Sequence, residues 1–80
     1  MKIPELGTAG ASLRVSAWYV EPGDTVEQGE PILEVMLPGI TCDIPAPVAG
    51  TIHRISASLD DVVWTGIVVG WIAPRNDHPV

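Results

Sequence analysis

Hydrophobic and polar positions alternate along this chain with a period of two. Leu13, Val15 and Ala17 are separated by Arg14 and Ser16. That spacing turns one face of a strand toward a core and the other toward water. Short β-branched runs follow at Ile32 to Met36, Ile40 to Pro45, Thr51 to Ile55 and Val68 to Ile72, each bounded by turn residues. All are predicted to be strands. No helical periodicity appears, and Pro and Gly recur too often for an ordinary helix of about 10 residues. Glu21-Pro22-Gly23-Asp24 predicts a type II turn, because Pro presets φ at the first central position and Gly accepts φ > 0 at the next. Leu37-Pro38-Gly39-Ile40 repeats that chemistry between two strands and predicts a hairpin.

The chain also matches itself at an offset of 37 residues. Val15 falls on Ile52, Asp24 on Asp61, Val26 on Val63, Gly29 on Gly66, Ile32 on Val69 and Val35 on Ile72. Two similar halves suggest a sandwich with pseudo-twofold symmetry. The expected fold is all-β: a flattened barrel or sandwich of two four-stranded antiparallel sheets occupying residues 1–73. The polar, Pro-flanked residues 74–80 are expected to be a disordered tail.

Composition narrows the function classes. At 80 residues the chain is one domain, small enough to bury only a little over about 60% of its unfolded surface. The net charge is −6, with only Lys2, Arg14, Arg54 and Arg75 positive. Four scattered cations build no basic face, so nucleic acid is not an expected partner. The acidity favours solubility and, weakly, a basic protein partner. No apolar run approaches the roughly 18 residues of a membrane span. The start, Met1 to Glu5, has no apolar region of the signal-peptide kind. One cysteine allows no internal disulfide and fits a reducing cytoplasm.

Several segments in order are similar to lipoyl domains. Ile3-Pro4-Glu5-Leu6-Gly7 resembles their opening, and Val15 to Val26 their first long strand and turn. Gly29 to Met36 resembles the strand entering the modification hairpin, and Asp43 to Gly50 the strand leaving it. The likeness runs from Ile3 to Ala73. It is to the biotinyl/lipoyl attachment family, and within it to lipoyl domains of dihydrolipoyl acyltransferase components of 2-oxo acid dehydrogenase complexes. The resemblance implies a flattened barrel and an acceptor lysine at the tip of an exposed hairpin, acylated by lipoate or, in the sister family, biotin. A protein partner such as a multienzyme complex is implied too, with the domain a monomer in isolation.

Family spacing puts the acceptor ten residues after Gly29 and eight before Pro47, and both counts reach Gly39. The tip reads Leu37-Pro38-Gly39-Ile40, and the only lysine in the chain is Lys2. Glycine has nothing to acylate, so no cofactor is expected on this hairpin. The expected role is a non-modified interaction module related to acyl carriers. The alternative is a degenerate carrier domain of a 2-oxo acid dehydrogenase or carboxylase-type complex.

No catalytic or metal-binding set is expected. Thr41 and Cys42 are the only nucleophiles near the tip, and Cys42 shares strand parity with Ile40 and Ile44, which predicts that it points inward. His53 reads as a strand residue, and with His78 and one Cys it makes no zinc spacing. Asp60-Asp61 falls on the second-half turn that matches Gly23-Asp24. Trp18 matches the family's core tryptophan, and Trp64 and Trp71 are expected to shield edges. The apolar tip from Met36 to Ile40 stands out, because the family usually carries charge there. It is expected either to be a contact site or to fold back onto the sheet.

Overall fold

The computed structural model describes residues 1–4 and 12–74. Glu5, Leu6 and Gly7 of the opening motif lie outside the described residues, as do residues 75–80 of the expected tail. The strands are β1 (Leu13–Trp18), β2 (Thr25–Val26), β3 (Pro31–Leu37), β4 (Ile40–Pro45), β5 (Gly50–Ile55), β6 (Val62–Val63) and β7 (Gly70–Pro74). Among the described residues there is no helix. One sheet has the order β4-β3-β1-β6 and the other β2-β5-β7, with every pairing antiparallel.

The offset of 37 seen in the sequence (52 − 15) governs the backbone in detail. Gly50–Ile55 is Leu13–Trp18 moved by that offset, and Val62–Val63 is Thr25–Val26 moved by it. The irregularity between Val15 and Ala17 recurs between Ile52 and Arg54. Gly29 and Gly66, at φ 87° and 89°, hold equivalent turns. Asp24 accepts a hydrogen bond from the Glu21 backbone N–H through Oδ2 at 2.8 Å, and Asp61 does the same for Ser58 at 2.8 Å. Asp60 stands where the first half has Gly23 and adopts φ 68°, a left-handed conformation that Asp tolerates better than most residues.

The halves are not merely stacked. The short strand β2 belongs to the first half but pairs with β5 of the second, and β6 pairs with β1 of the first. Thus Gly23 N–H donates to Ile52 C=O at 2.7 Å, and Asp60 N–H donates to Val15 C=O at 2.8 Å. This exchange was not read from the sequence, because two-residue strands carry too little alternation to be seen.

The second sheet has three strands where four were expected. The fourth position is represented by Lys2, which forms a single antiparallel bridge with Val68. The hydrogen bonds around it copy the first half. Ile3 N–H donates to Ile67 C=O as Ala46 N–H donates to Glu30 C=O, and Gly66 N–H donates to Ile3 C=O as Gly29 N–H donates to Ala46 C=O.

Between the sheets lies an apolar core formed by matched pairs: Val15 with Ile52, Val26 with Val63, Ile32 with Val69, and Val20 with Ala57. Trp18 packs at the core margin and donates its indole N–H to the Ala57 carbonyl at 2.8 Å. Two matched pairs are unequal, each with a leucine in the first half and a buried glycine in the second: Leu33 with Gly70, and Leu13 with Gly50. Where β1 has Leu13, β5 has Gly50, which is buried beside β7. A methyl at Gly50 would run into the Ala73 carbonyl oxygen and approach Ile72 Cγ2 to 2.9 Å.

On the outer face of the larger sheet, the Tyr19 hydroxyl bridges Asp43 Oδ1 and Glu34 Oε2, each at 2.9 Å. Ser16 Oγ donates to the other Glu34 oxygen at 2.8 Å. Hydrogen bonding to Asp43, and next to Glu34, holds the phenol well above its usual pKa.

Gly50→Ala should lower stability by about 3 kcal/mol through overpacking, read as the shift of a urea unfolding midpoint. A parental midpoint would mean that β7 can move away freely. Tyr19 is the only tyrosine, so phenolate absorbance reports it alone. Its folded-state pKa is raised, so its contribution to stability is present in full below the unfolded value near 10 and is lost as pH rises above it. The folded protein should therefore titrate at higher pH than the urea-unfolded chain. Asp43→Asn should bring the two curves closer, and coincident curves in the parent would show that the bridge is absent in solution.

Candidate functional site: the β3–β4 hairpin tip

The hairpin arises from local chemistry. Strands β3 and β4 pair from Leu33 with Ile44 through Val35 with Cys42 to Leu37 with Ile40. Pro38 and Gly39 make the two-residue connection. Gly39 has φ 81°, and a Cβ placed on it would meet nothing within 4 Å. Position 39 is therefore open to solvent and restricted only by its backbone conformation. At the base of the hairpin, Gly29 N–H donates to Ala46 C=O at 2.9 Å and Ala46 N–H donates to Glu30 C=O at 2.8 Å.

The tip is apolar and divided in its behaviour. Leu37 is half-buried and packs on the core, whereas Met36 and Ile40 are 48% and 62% exposed. The expectation that the tip folds back is thus met by Leu37 and not by Ile40. Cys42 is half-buried against the core and Ile44 is buried, as strand parity predicts. Ile40 shares that parity but lies at the end of the hairpin and is exposed. Two shallow grooves flank the tip. Arg14, Met36, Leu37, Pro38 and Val62 line one, and Met36, Leu37, Gly39, Ile40 and Thr41 line the other.

The remaining sequence candidates lie apart from the tip. Lys2 lines a groove with Ile44, Pro45 and Pro47 at the hairpin's base, the other end of β4. His53 is exposed on β5. Next to it, Arg54 lies over the Trp71 ring at 5.2 Å, a cation–π contact. Trp64 is exposed. Asp60 and Asp61 are used in turn geometry. Arg75 and His78 lie outside the described residues. Among the described residues, no three of His, Cys, Asp and Glu come close enough to hold a metal.

Sequence reasoning missed one feature beside the tip. The register aligns Thr41, Met36, Arg14 and Val62 in a single row across the larger sheet, and all four are exposed. The 37-residue offset makes Val62 the equivalent of Thr25, but it carries no signal for the sheet that Val62 joins.

Comparison with known proteins follows the same lines. A family model described as "Biotin-requiring enzyme" matches residues 1–72. The chain is 42% identical over 76 residues to the dihydrolipoyllysine-residue acetyltransferase component of the pyruvate dehydrogenase complex of Corynebacterium glutamicum, covering 95% of this chain and 11% of that protein. It is 30% identical over 73 residues to the dihydrolipoyllysine-residue succinyltransferase component of the 2-oxoglutarate dehydrogenase complex of Bacillus subtilis, covering 91% and 18%. The chain thus spans between about a tenth and a fifth of the length of these curated relatives. The solved lipoyl domain of the 2-oxoglutarate dehydrogenase complex from Azotobacter vinelandii superposes with a TM-score of 0.73. That match covers 95% of this chain and 99% of that one at 22% identity, a likeness of fold. With the family model matching residues 1–72 and a solved lipoyl domain sharing its fold, the chain belongs to the biotinyl/lipoyl domain family.

Proposed function

We propose that this chain is a lipoyl-type domain whose acceptor position is filled by Gly39. Its hairpin then acts as an unmodified contact element within a multienzyme acyl-transfer assembly of the cytoplasm, and the domain itself catalyses nothing. One observation carries the reading. Gly39 occupies the open tip of the hairpin, and the sole lysine of the 80 residues, Lys2, sits at the hairpin's other end. The counting landmarks support the assignment of position 39, because Gly29 N–H donates to the carbonyl of Ala46, the residue before Pro47, at the hairpin base.

A carrier needs a side chain that reaches several active sites in turn, and a tight turn in solvent supplies it when a lysine stands there. Here the turn is kept and the amine is missing. The names of the relatives, which include a dihydrolipoyllysine residue, favour a second reading: a carrier domain of a 2-oxo acid dehydrogenase or carboxylase-type complex that has lost its acceptor. Both readings predict an unmodified hairpin. They differ in whether the domain retains a binding role.

Co-expressed with a lipoate or biotin ligase, the chain should keep its unmodified intact mass. An adduct mapped within residues 36–42 would overturn the assignment. Gly39→Lys should fold. Lys at φ > 0 costs about 1–2 kcal/mol if the turn keeps its shape, but Pro38 equally suits a type I turn, whose next residue has φ near −90°. The loss should stay below the roughly 5 kcal/mol of a marginal small domain. Modification of this variant should still be poor, because the rim is formed by Leu37, Pro38 and Ile40. Complete modification at ordinary ligase levels would show that the lysine alone suffices.

A further inference from the structure

Beside the tip, the internal symmetry lets equivalent rows of the two sheets be compared within one chain. The row Met36, Arg14, Val62 on the larger sheet corresponds, at the offset of 37, to Ala73, Thr51, Thr25 on the smaller one. Both rows are exposed on equivalent strands of one chain. The fold is therefore satisfied by Ala, Thr and Thr at these places. What the larger sheet carries instead, two large apolar side chains on either side of a guanidinium, is not required for folding. Met36 and Val62 are each 48% exposed, and Met36 lines both grooves that flank the tip. Met36 thus links the groove that holds Arg14 and Val62 to the one that holds Ile40.

Arg14 determines what fits there. Among the described residues the one hydrogen bond of its side chain runs from Nη1 to the Asp60 carbonyl at 3.3 Å, and a guanidinium has five donors. Its neighbours in the row are apolar, so an incoming carboxylate would be desolvated as it docks, which strengthens a charge-assisted, bidentate bond. A second copy of this chain laid isologously on the row would bring Arg14 against its own equivalent, which is repulsive. The net charge of −6 opposes a generally acidic partner.

Building on the reading of the hairpin as an unmodified contact element, we propose that the row Met36–Arg14–Val62, with the adjoining tip, is a docking surface for a protein segment that presents a single carboxylate between apolar side chains. The carboxylate pairs with Arg14, and the flanking apolar groups cover Met36 and Val62.

The probe is a short blocked peptide, Ser-Leu-Val-Glu-Val-Leu-Ser, with two companions in which Gln or Lys replaces Glu. Each is titrated into the isotopically labelled chain and followed by backbone amide shifts. The Glu peptide should give saturable shifts centred on Arg14, Met36 and Val62, and the Gln peptide should bind about tenfold more weakly. The combined variant Arg14→Thr, Met36→Ala and Val62→Thr copies the smaller sheet, so its fold should survive, and its own amide spectrum checks this. It too should lose about tenfold or more in affinity. If it does not fold, Arg14→Gln, a single change at an exposed position, takes its place. Unsaturable or scattered shifts, equal affinity for the three peptides, or undiminished binding by the variant would overturn the proposal. Intact mass reads the modification state separately, so failure here with an unmodified hairpin rejects the surface and not the assignment of Gly39.

Discussion

The exchange of short strands between the two halves is the constraint on which the rest of this structure depends. Thr25–Val26 adds to the sheet of the second half and Val62–Val63 to that of the first. Neither two-residue strand could persist alone, since an isolated pair of strands is marginal in water. Each is held by turn hydrogen bonds that close on the other half: Ile52 N–H to Asp24 C=O at 2.8 Å, and Val15 N–H to Asp61 C=O at 3.0 Å. Folding either half without the other would leave these groups unpaired and expose Val26 and Val63. The core is thus a product of both halves, and a domain of this size has little stability to spare.

That exchange also explains why the hairpin can project. Strand β3 lies between β1 and β4, and its inward residues Ile32, Leu33 and Val35 are buried in the shared core. The last two pairs of the hairpin extend toward the edge of that core, so Leu37 packs while Ile40 does not. Stability comes from the base, and the tip is left free to change. A side chain at position 39 would meet no neighbour within 4 Å, so there only the backbone conformation restricts which residue fits.

The pseudo-symmetry is close in backbone and loose in side chains. The backbone copies turns, bulges and even the carboxylate that caps each turn. The side chains diverge on the face toward water, as in Glu27 against Trp64, Thr25 against Val62 and Thr51 against Arg14, and inside at the two buried glycines, Gly50 and Gly70, which stand against Leu13 and Leu33. Burial restrains the inner face through packing, whereas the outer face is restrained only by solubility and by what it contacts.

The sequence by itself determined the strand class, the longer strands, both Pro-Gly turns, the 37-residue repeat and the absence of a lysine at the tip. These follow from local rules: alternation of period two, the φ limits of Pro and Gly, and the identity of single residues. It also carried the family resemblance, because landmarks such as Gly29 and Pro47 keep a countable distance. Only the tertiary structure decided that β2 and β6 change sheets, that the fourth strand of the smaller sheet shrinks to the Lys2–Val68 bridge, and that Tyr19 joins Glu34 to Asp43. It alone placed Val62 beside Arg14 and Met36. Each of these joins residues far apart in the chain through hydrogen bonds between strands. Such pairings are selected by the closure of the whole core, and no local window of sequence contains the energy that fixes them.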